Sequence, residues 1–223
     1  MKKLITLFFL LTGMAAVRAD DFVVNYGVGV VHIDLEVITD LKFYNAAEIG
    51  KLAQNLKFKS EVVDKKKKIK EATLVSGNEE KWLSPESFDM PGMLFTMRVM
   101  EKKSGWYYVM TNNSTRQCYW VRVVHGVDFN SWNDEVEFCL GVKRVDKDAN
   151  PLRKAPNSNF TIPWDQKMTD CFKVAAVQGL WMRVETHKAC AEGTIEVKEG
   201  WIRWRDEKDL LITYTPVPKV EKK

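Results

Sequence analysis

The chain has 223 residues, of which 34 are Lys or Arg and 30 are Asp or Glu. Three basic and no acidic residues fall in the first nineteen positions, so the remainder has 31 basic and 30 acidic side chains, a net charge of +1. This balance gives no indication of a nucleic-acid partner. The sequence also has no phosphate-binding loop, dinucleotide fingerprint or Gly-x-Ser-x-Gly elbow, so it offers no support for the enzyme classes that use them.

The N-terminus has the pattern of a secretory signal peptide over residues 1–19. Lys2 and Lys3 precede the apolar run Leu4–Val17, and Val17-Arg18-Ala19 predicts cleavage before Asp20. An uncleaved anchor is the alternative, although the run is short for a bilayer. No Cys lies at the cleavage point and no second long apolar run follows. We therefore expect a periplasmic or secreted protein with neither a lipid anchor nor a transmembrane segment in its mature form.

Four cysteines lie in the C-terminal half: Cys118, Cys139, Cys171 and Cys190. An even number in an exported chain favours disulfides. We expect the pairs Cys118–Cys139 and Cys171–Cys190, because each closes a local loop of roughly twenty residues, worth on the order of 3 kcal/mol. Free buried thiols are the alternative. A metal site is not expected, since His187-x-x-Cys190 supplies only two ligands.

The first half reads mainly as strands. Val30–Val37 alternates apolar and polar residues, which predicts a half-buried strand. Residues 45–56 admit two interpretations: a helix begun by an Asn45–Glu48 capping box, or a loop followed by a short strand at Ile49–Leu52. A lysine run at 65–68 is best explained as a solvated hairpin tip, because acidic residues flank it. Pro85 predicts the start of a short helix.

Short strands and turns continue to the C-terminus. Residues 94–100, 106–111 and 118–124 predict a three-stranded meander. Residues 125–135 are polar and turn-rich and are interpreted as a linker. Strands are then predicted near 136–145, 171–177, 180–185, 201–204 and 210–214, with a Pro-punctuated loop at 150–158 and a disordered tail at 217–223. The fold class is therefore mainly all-β.

Two similar motifs organise these strands. Residues 179–184 read Gly-Leu-Trp-Met-Arg-Val, Gly200-Trp201-Ile202 follows, and Leu152-Arg153-Lys154-Ala155-Pro156 precedes both. In this order the motifs resemble bacterial SH3-like (SH3b) domains, in the exported two-unit form found in Gram-negative bacteria, Bacteroidetes among them. The resemblance implies tandem small β-barrels: domain 1 at residues 30–124, with an insertion at about 51–92 that contains either the short helix or the loop and strand, and domain 2 at 136–216. The upstream copy, Gly105-Trp106-Tyr107-Tyr108-Val109 with Tyr119-Trp120-Val121, matches less closely.

Alternation along the strands selects the candidate ligand-binding residues. Met182, Val184, Ile202 and Trp204 are expected to point into the core, which leaves their neighbours on the other face. The candidates are Trp181, Arg183, Trp201 and Arg203 in the second unit, with Trp106, Tyr108 and Tyr44 in the first. Packing between barrel and loop is the alternative role for each aromatic ring.

The expected function is non-catalytic binding of an envelope protein, a peptide or peptidoglycan, because SH3 barrels bind extended ligands on aromatic side chains. Two alternatives stay open. One is a secreted inhibitor or immunity-type protein that blocks a hydrolase with the 51–92 insertion; the other is an enzyme with a site between the units. His32, His125 and His187 are scattered without metal-ligand spacing. No catalytic residue, metal or cofactor is therefore expected.

Overall fold

The computed structural model describes residues 26–64, 69–75, 81–164, 170–187 and 198–216. Strands account for 55% of the structure and helices for 4%, so the predicted mainly-β class is confirmed. The predicted signal peptide, the lysine run 65–68, Cys190 and the tail at 217–223 lie outside the described residues. Within those residues, no helix has the length and apolar character needed to cross a bilayer.

The first sheet has nine antiparallel strands and curls into a half-barrel. Its order is β4-β3-β2-β8-β7-β6-β1-β9, and β5 pairs with β6 off this path. Alternate residues of the strands face one buried cluster that includes Ile33, Phe43, Leu56, Phe95 and Met97. The strands are β1 (Gly29–Asp34), β2 (Asp40–Tyr44), β3 (Leu52–Asp64), β4 (Ile69–Leu74), β5 (Ser87–Asp89), β6 (Leu94–Lys103), β7 (Trp106–Asn112), β8 (Gln117–Arg122) and β9 (Val127–Ser131).

The second sheet has five antiparallel strands in the order β13-β12-β11-β10-β14. Phe172, Met182, Ile202 and Trp204 are each fully buried beneath it. The strands are β10 (Gly141–Arg144), β11 (Phe172–Gln178), β12 (Trp181–Thr186), β13 (Glu199–Arg203) and β14 (Ile212–Thr215).

The two sheets share a strand order. Five neighbouring strands of the first sheet lie in the order β9-β1-β6-β7-β8, and the second sheet has the order β14-β10-β11-β12-β13. In each set of five, the strand that comes last in the chain lies beside the one that comes first, and the second, third and fourth strands follow in chain order. The register agrees as well. In each sheet, three consecutive residue pairs follow the turn between the second and third of these strands, which are β6 and β7 in the first sheet and β11 and β12 in the second. The next residue of the second strand is then an unpaired bulge, Met100 in the first sheet and Ala175 in the second. The units at 29–131 and 141–215 are thus variants of one strand arrangement.

Of the two interpretations of residues 45–56, the structure favours the loop and strand, and the short helix predicted at Pro85 was wrong. Residues 45–51 form a turn closed by a 2.8 Å bond from Asn45 N to Lys51 O, and β3 then begins at Leu52. Ile49 and Leu52 are 63% and 54% exposed, whereas Leu56 is fully buried, so the apolar residues of this segment do not form one buried helical face. The loop-and-strand interpretation is closer. Near Pro85, Ser84 bridges Asn112 and β5 follows, so no helix starts there.

The segment 125–135, predicted as a linker, contains β9 and the beginning of α1 (Trp132–Glu137). β9 pairs with β1 along its length. Trp132 is 4% exposed, donates from Nε1 to Tyr26 O at 2.7 Å, and meets the Tyr214 ring edge-on. Val30 of β1 belongs to the core under the second sheet. The units are therefore joined by packed residues at this segment.

The predicted Cys118–Cys139 disulfide was wrong, because both side chains are free thiols. Cys118 lies on β8 of the first sheet, whereas Cys139 follows α1 and packs into the core under the second. Closeness along the chain did not bring the two together. Cys171 is not a free thiol, but its expected partner Cys190 lies outside the described residues, so that pairing stays a prediction.

Candidate functional site

The outer side of β12 and β13 carries the four candidates of the second unit. Met182, Val184, Ile202 and Trp204 are each 0% exposed, which confirms the inward half of the predicted alternation. On the opposite side the strands pair Trp181 with Arg203, and Arg183 with Trp201. Because paired residues on neighbouring strands share a face, these four side chains form one patch. We call this patch, together with Arg153, the second face.

Trp181 is less open than its position suggested. It is 8% exposed, although it lies outside the core cluster. The guanidinium groups of Arg153 and Arg203 each lie 5.8 Å from its ring centroid, within cation–π range. Its Nε1 donates to Asn157 Oδ1 at 3.2 Å. Trp181 is thus the floor of the face, whereas Arg183 is exposed and Trp201 is half-buried.

Arg153 reaches the face from the segment between β10 and β11. Its backbone pairs with Trp201 of β13 through two 2.8 Å hydrogen bonds, and its Nη1 donates to Ser158 O at 2.6 Å. The neighbouring Leu152 is buried under the sheet. Sequence reasoning quoted Arg153 as part of a loop motif but did not select it. The sequence pattern that could have selected Arg153 is its position directly after the apolar Leu152, because the neighbour of an inward-pointing residue on an extended segment points outward.

A buried ion pair anchors this segment. Arg144 and Asp170 have side chains 1% and 2% exposed, and they form bidentate bonds of 2.7 and 2.8 Å. Arg144 also donates to Asn150 O at 3.2 Å. The Asn150 side chain in turn donates to Arg203 O at 2.7 Å and accepts from Arg203 N at 3.0 Å. The pair therefore positions the edge of β13 and the backbone of Arg203.

An equivalent patch, the first face, lies on the first sheet. Trp106 pairs with Arg122, Tyr108 with Trp120, and Tyr44 of β2 also with Trp120. Counted from the same turn, Trp106, Trp120 and Arg122 occupy the places of Trp181, Trp201 and Arg203, while Tyr108 replaces Arg183 and Tyr44 replaces Arg153. All seven candidates therefore lie on two equivalent faces. Six of them lie on β7, β12 and β13, and the seventh, Tyr44, lies on the neighbouring strand β2.

Aromatic packing dominates the first face. The Tyr44 ring meets Trp106 edge-on at 5.1 Å, and the rings of Tyr108 and Trp120 lie 5.0 Å apart. Tyr44 and Trp120 are 7% exposed, whereas Trp106 and Tyr108 are half-buried. Burial raises the pKa of Tyr108, and the nearby Cys118 and Glu101 add to the rise. The phenol is therefore neutral at ordinary pH and can donate a hydrogen bond to a ligand.

The charges of the two faces differ. On the first face Lys103 lies over the Trp120 ring and pairs with Glu101 at 3.5 Å. The corresponding places beside the second face hold Gln178 and Ala176. Among the described residues, Arg153, Arg183 and Arg203 form no salt bridge. The pKa of Asp206 is lowered by backbone hydrogen bonds from Asp209 and Lys208 and, to a smaller extent, by the charge of Arg203. The second face thus carries three arginines that form no ion pair with the carboxylates of the described residues.

A separate polar network lies where α1 meets the first sheet. His32 Nε2 lies 2.8 Å from Glu135 Oε2, and His32 Nδ1 lies 3.0 Å from Thr96 Oγ1. Asn130 donates to the same Glu135 oxygen at 3.0 Å. A hydroxyl, an imidazole and a carboxylate in series resemble a nucleophilic triad. However, Thr96 is 1% exposed, so a substrate has no access to its hydroxyl. The geometry favours a role in holding α1 against β1.

The described residues contain no group of three His, Cys, Asp or Glu side chains able to hold a metal ion. Burial raises the pKa of both free thiols, Cys118 and Cys139, to about 11, which disfavours the reactive thiolate. No protein-family model, curated protein or solved structure matches the chain. The functional argument therefore comes from the two faces themselves.

Proposed function

We propose that the protein is an exported, non-catalytic binding protein. Its two units are SH3-like, and they recognise an envelope protein, a peptide or peptidoglycan with their outer faces. The observation that carries this proposal is the repetition of one Trp–Arg arrangement, in the same register, on two sheets. If the two sheets shared only the requirements of a stable core, we would expect only their inward-facing residues to be alike. The outward Trp-x-Arg of β8 and β13 repeats as well.

The composition of the faces supports binding. Trp, Tyr and Arg are the residues most enriched at the energetic centres of protein interfaces. Here buried rings, Trp181 and Trp120, form a rigid floor, while Trp201, Trp106 and Tyr108 expose part of their surface. A floor that is already packed loses little conformational entropy when a ligand binds. Two such faces in one chain also allow bivalent attachment to a repetitive ligand.

The edges of the sheets favour contact through side chains over addition of a ligand strand. At Trp201 and Arg203 the backbone edge of β13 already bonds to Arg153 and Asn150. The edge of β8 pairs with β2 at Tyr44. A ligand would therefore lie across the outer faces.

The test is co-sedimentation of the mature chain with purified sacculi of a Gram-negative bacterium, together with capture of envelope proteins on the immobilised chain. We expect Trp201→Ala and Arg183→Gln each to reduce binding about tenfold, since each removes a central contact. Lys143→Gln removes one exposed charge from β10 of the same unit and should bind like the wild type. Thermal unfolding of each variant checks that the fold is retained. Absence of binding by the wild type, or equal binding by Arg183→Gln, would contradict the proposal.

A second candidate is an inhibitor or immunity-type protein that acts through the β3–β4 hairpin. β3 pairs with β2 from Leu52 to Lys57, and from Phe58 onwards it pairs only with β4. Val62 and Val63 on this arm are 51% and 54% exposed. Replacing residues 61–71 with an Asn-Gly turn should leave the fold intact, because the buried Phe58 and Ala72 are kept. If the protein inhibits an envelope hydrolase, this deletion should abolish inhibition and spare sacculus binding.

A further inference from the structure

We infer that the second face binds an acidic peptide segment in extended conformation, and this inference rests on the proposed function. The first observation is the set of unpaired guanidinium groups. Arg153, Arg183 and Arg203 surround Trp181 and Trp201, and none of the three has a described carboxylate within 4 Å. Nε of Arg203 is buried without a hydrogen-bond partner. Arg153 already donates one hydrogen bond to Ser158 O, and a ligand carboxylate would supply acceptors for its other N–H groups and for the exposed guanidinium of Arg183.

The first face serves as an internal reference for the second. Where the second face has Arg153 and Arg183, the first has Tyr44 and Tyr108. Beside Tyr108 stands Glu101, whereas Ala176 stands beside Arg183. The shared Trp and Arg positions retain the floor. Of the positions that differ, those on the second face add Arg153 and Arg183, whereas on the first face the charge of Lys103 is paired with that of Glu101. Charge recognition is therefore specific to the second unit.

The spacing of the arginines fits an extended peptide. Arg153 and Arg183 lie on either side of Trp201, so their backbones are two inter-strand spacings apart, about 10 Å. Acidic residues two or three positions apart in an extended chain are separated by about 7–10 Å. Acids two positions apart point to the same side of an extended chain, so both carboxylates can face the arginines while the residue between them points away from the face.

Carboxylates of the protein itself limit the footprint. Glu185 and Glu199 pair across β12 and β13, one row beyond Arg183 and Trp201 on the same outer face. They would repel an acidic ligand that ran further along the strands. The segment is thus expected to cross the strands over the arginines. The fork of a guanidinium matches the carboxylate of Asp or Glu. Two guanidiniums already lie over the Trp181 ring, which is 8% exposed, and this disfavours stacking of a sugar ring on Trp181.

The experiment measures fluorescence anisotropy of a labelled peptide of alternating Glu and Ala with the mature chain. The matched probe alternates Gln and Ala. We expect the Glu peptide alone to bind, with affinity that falls as salt rises. Arg153→Gln and Arg183→Gln should each weaken binding about tenfold. Arg183→Tyr, which installs the first unit's residue, should weaken it as much. Lys143→Gln should bind like the wild type, because Lys143 lies on β10 away from the face.

Several results would overturn the inference. One is equal loss in Lys143→Gln, which indicates non-specific charge attraction. Another is equal binding of the Gln peptide. A third is tight binding of a linear polyuronic acid, lost in Arg183→Gln, with no binding of the Glu peptide; the face would then recognise an anionic glycan. If the Glu peptide does not bind but binding to sacculi or envelope proteins still depends on Trp201 and Arg183, the acidic-peptide inference is wrong and the proposed function is retained. If nothing binds, both proposals are wrong.

Discussion

Removal of the Asp170 carboxylate tests how the second face is positioned. Asp170 and Arg144 are almost fully buried, and the carboxylate accepts three bonds from Arg144, including one from its backbone N at 3.0 Å. Asp170→Ala leaves a buried guanidinium without its counter-charge. Breaking one side of a buried ion pair typically costs about 3–5 kcal/mol. This is a large part of the stability of an average domain, which is about 5–15 kcal/mol.

The assay is urea unfolding followed by tryptophan fluorescence. We expect the free energy of unfolding to fall by about 3–5 kcal/mol. Arg144→Met combined with Asp170→Leu should recover much of the loss, because no uncompensated charge then remains. Asp128→Ala on the exposed side of β9 is the surface control. Binding should also weaken, since Arg144 holds Asn150 and Asn150 holds Arg203. A loss below about 1 kcal/mol, the range of exposed pairs, would refute the reasoning.

Two further predictions concern the two free thiols and the close contact between Gly200 and Leu152. Burial raises the pKa of Cys118 and Cys139 to about 11. Iodoacetamide should therefore modify both thiols slowly at pH 8, and the rate should rise about tenfold per pH unit up to pH 10. Mass spectrometry that shows a Cys118–Cys139 disulfide, or rapid labelling of the folded chain, would contradict this prediction. Gly200→Ala places a Cβ 2.7 Å from Leu152 Cγ and should cost about 1–3 kcal/mol of unfolding free energy. Gly50→Ala, whose nearest contact is 4.0 Å, should be close to neutral in the same denaturation assay.

Strand periodicity explains what could be predicted about the faces. Met182, Val184, Ile202 and Trp204 were placed in the core because a strand has a two-residue period, and all four are fully buried. The same period placed Arg183 and Trp201 together. It could not show that Trp181 is covered, because the covering groups come from Arg153 and Asn157, far away along the chain.

Long-range pairing explains the errors. Asn45 and Glu48 formed a plausible helix start, but β2 and β3 pair across this turn and impose extended structure on Leu52 and its successors. The Cys118–Cys139 pair was inferred from loop length, but the fold places Cys118 on β8 of the first sheet and Cys139 in the core under the second sheet. Likewise the equivalence of Tyr44 and Arg153 depends on which strand each one meets. A single sequence does not record these tertiary partners.

Titration of the isotope-labelled chain, followed by NMR, tests most directly whether the outer faces are the binding surfaces. Soluble peptidoglycan fragments and the Glu–Ala peptide are the ligands. The eight tryptophan indoles report on separate places. We predict that the indole signal of Trp201 and the guanidinium signal of Arg183 shift on binding, while the indole of Trp132, packed at the junction of the units, does not. Shifts centred on Trp132 and His32, with Trp201 unchanged, would place the site between the units and contradict the proposed function.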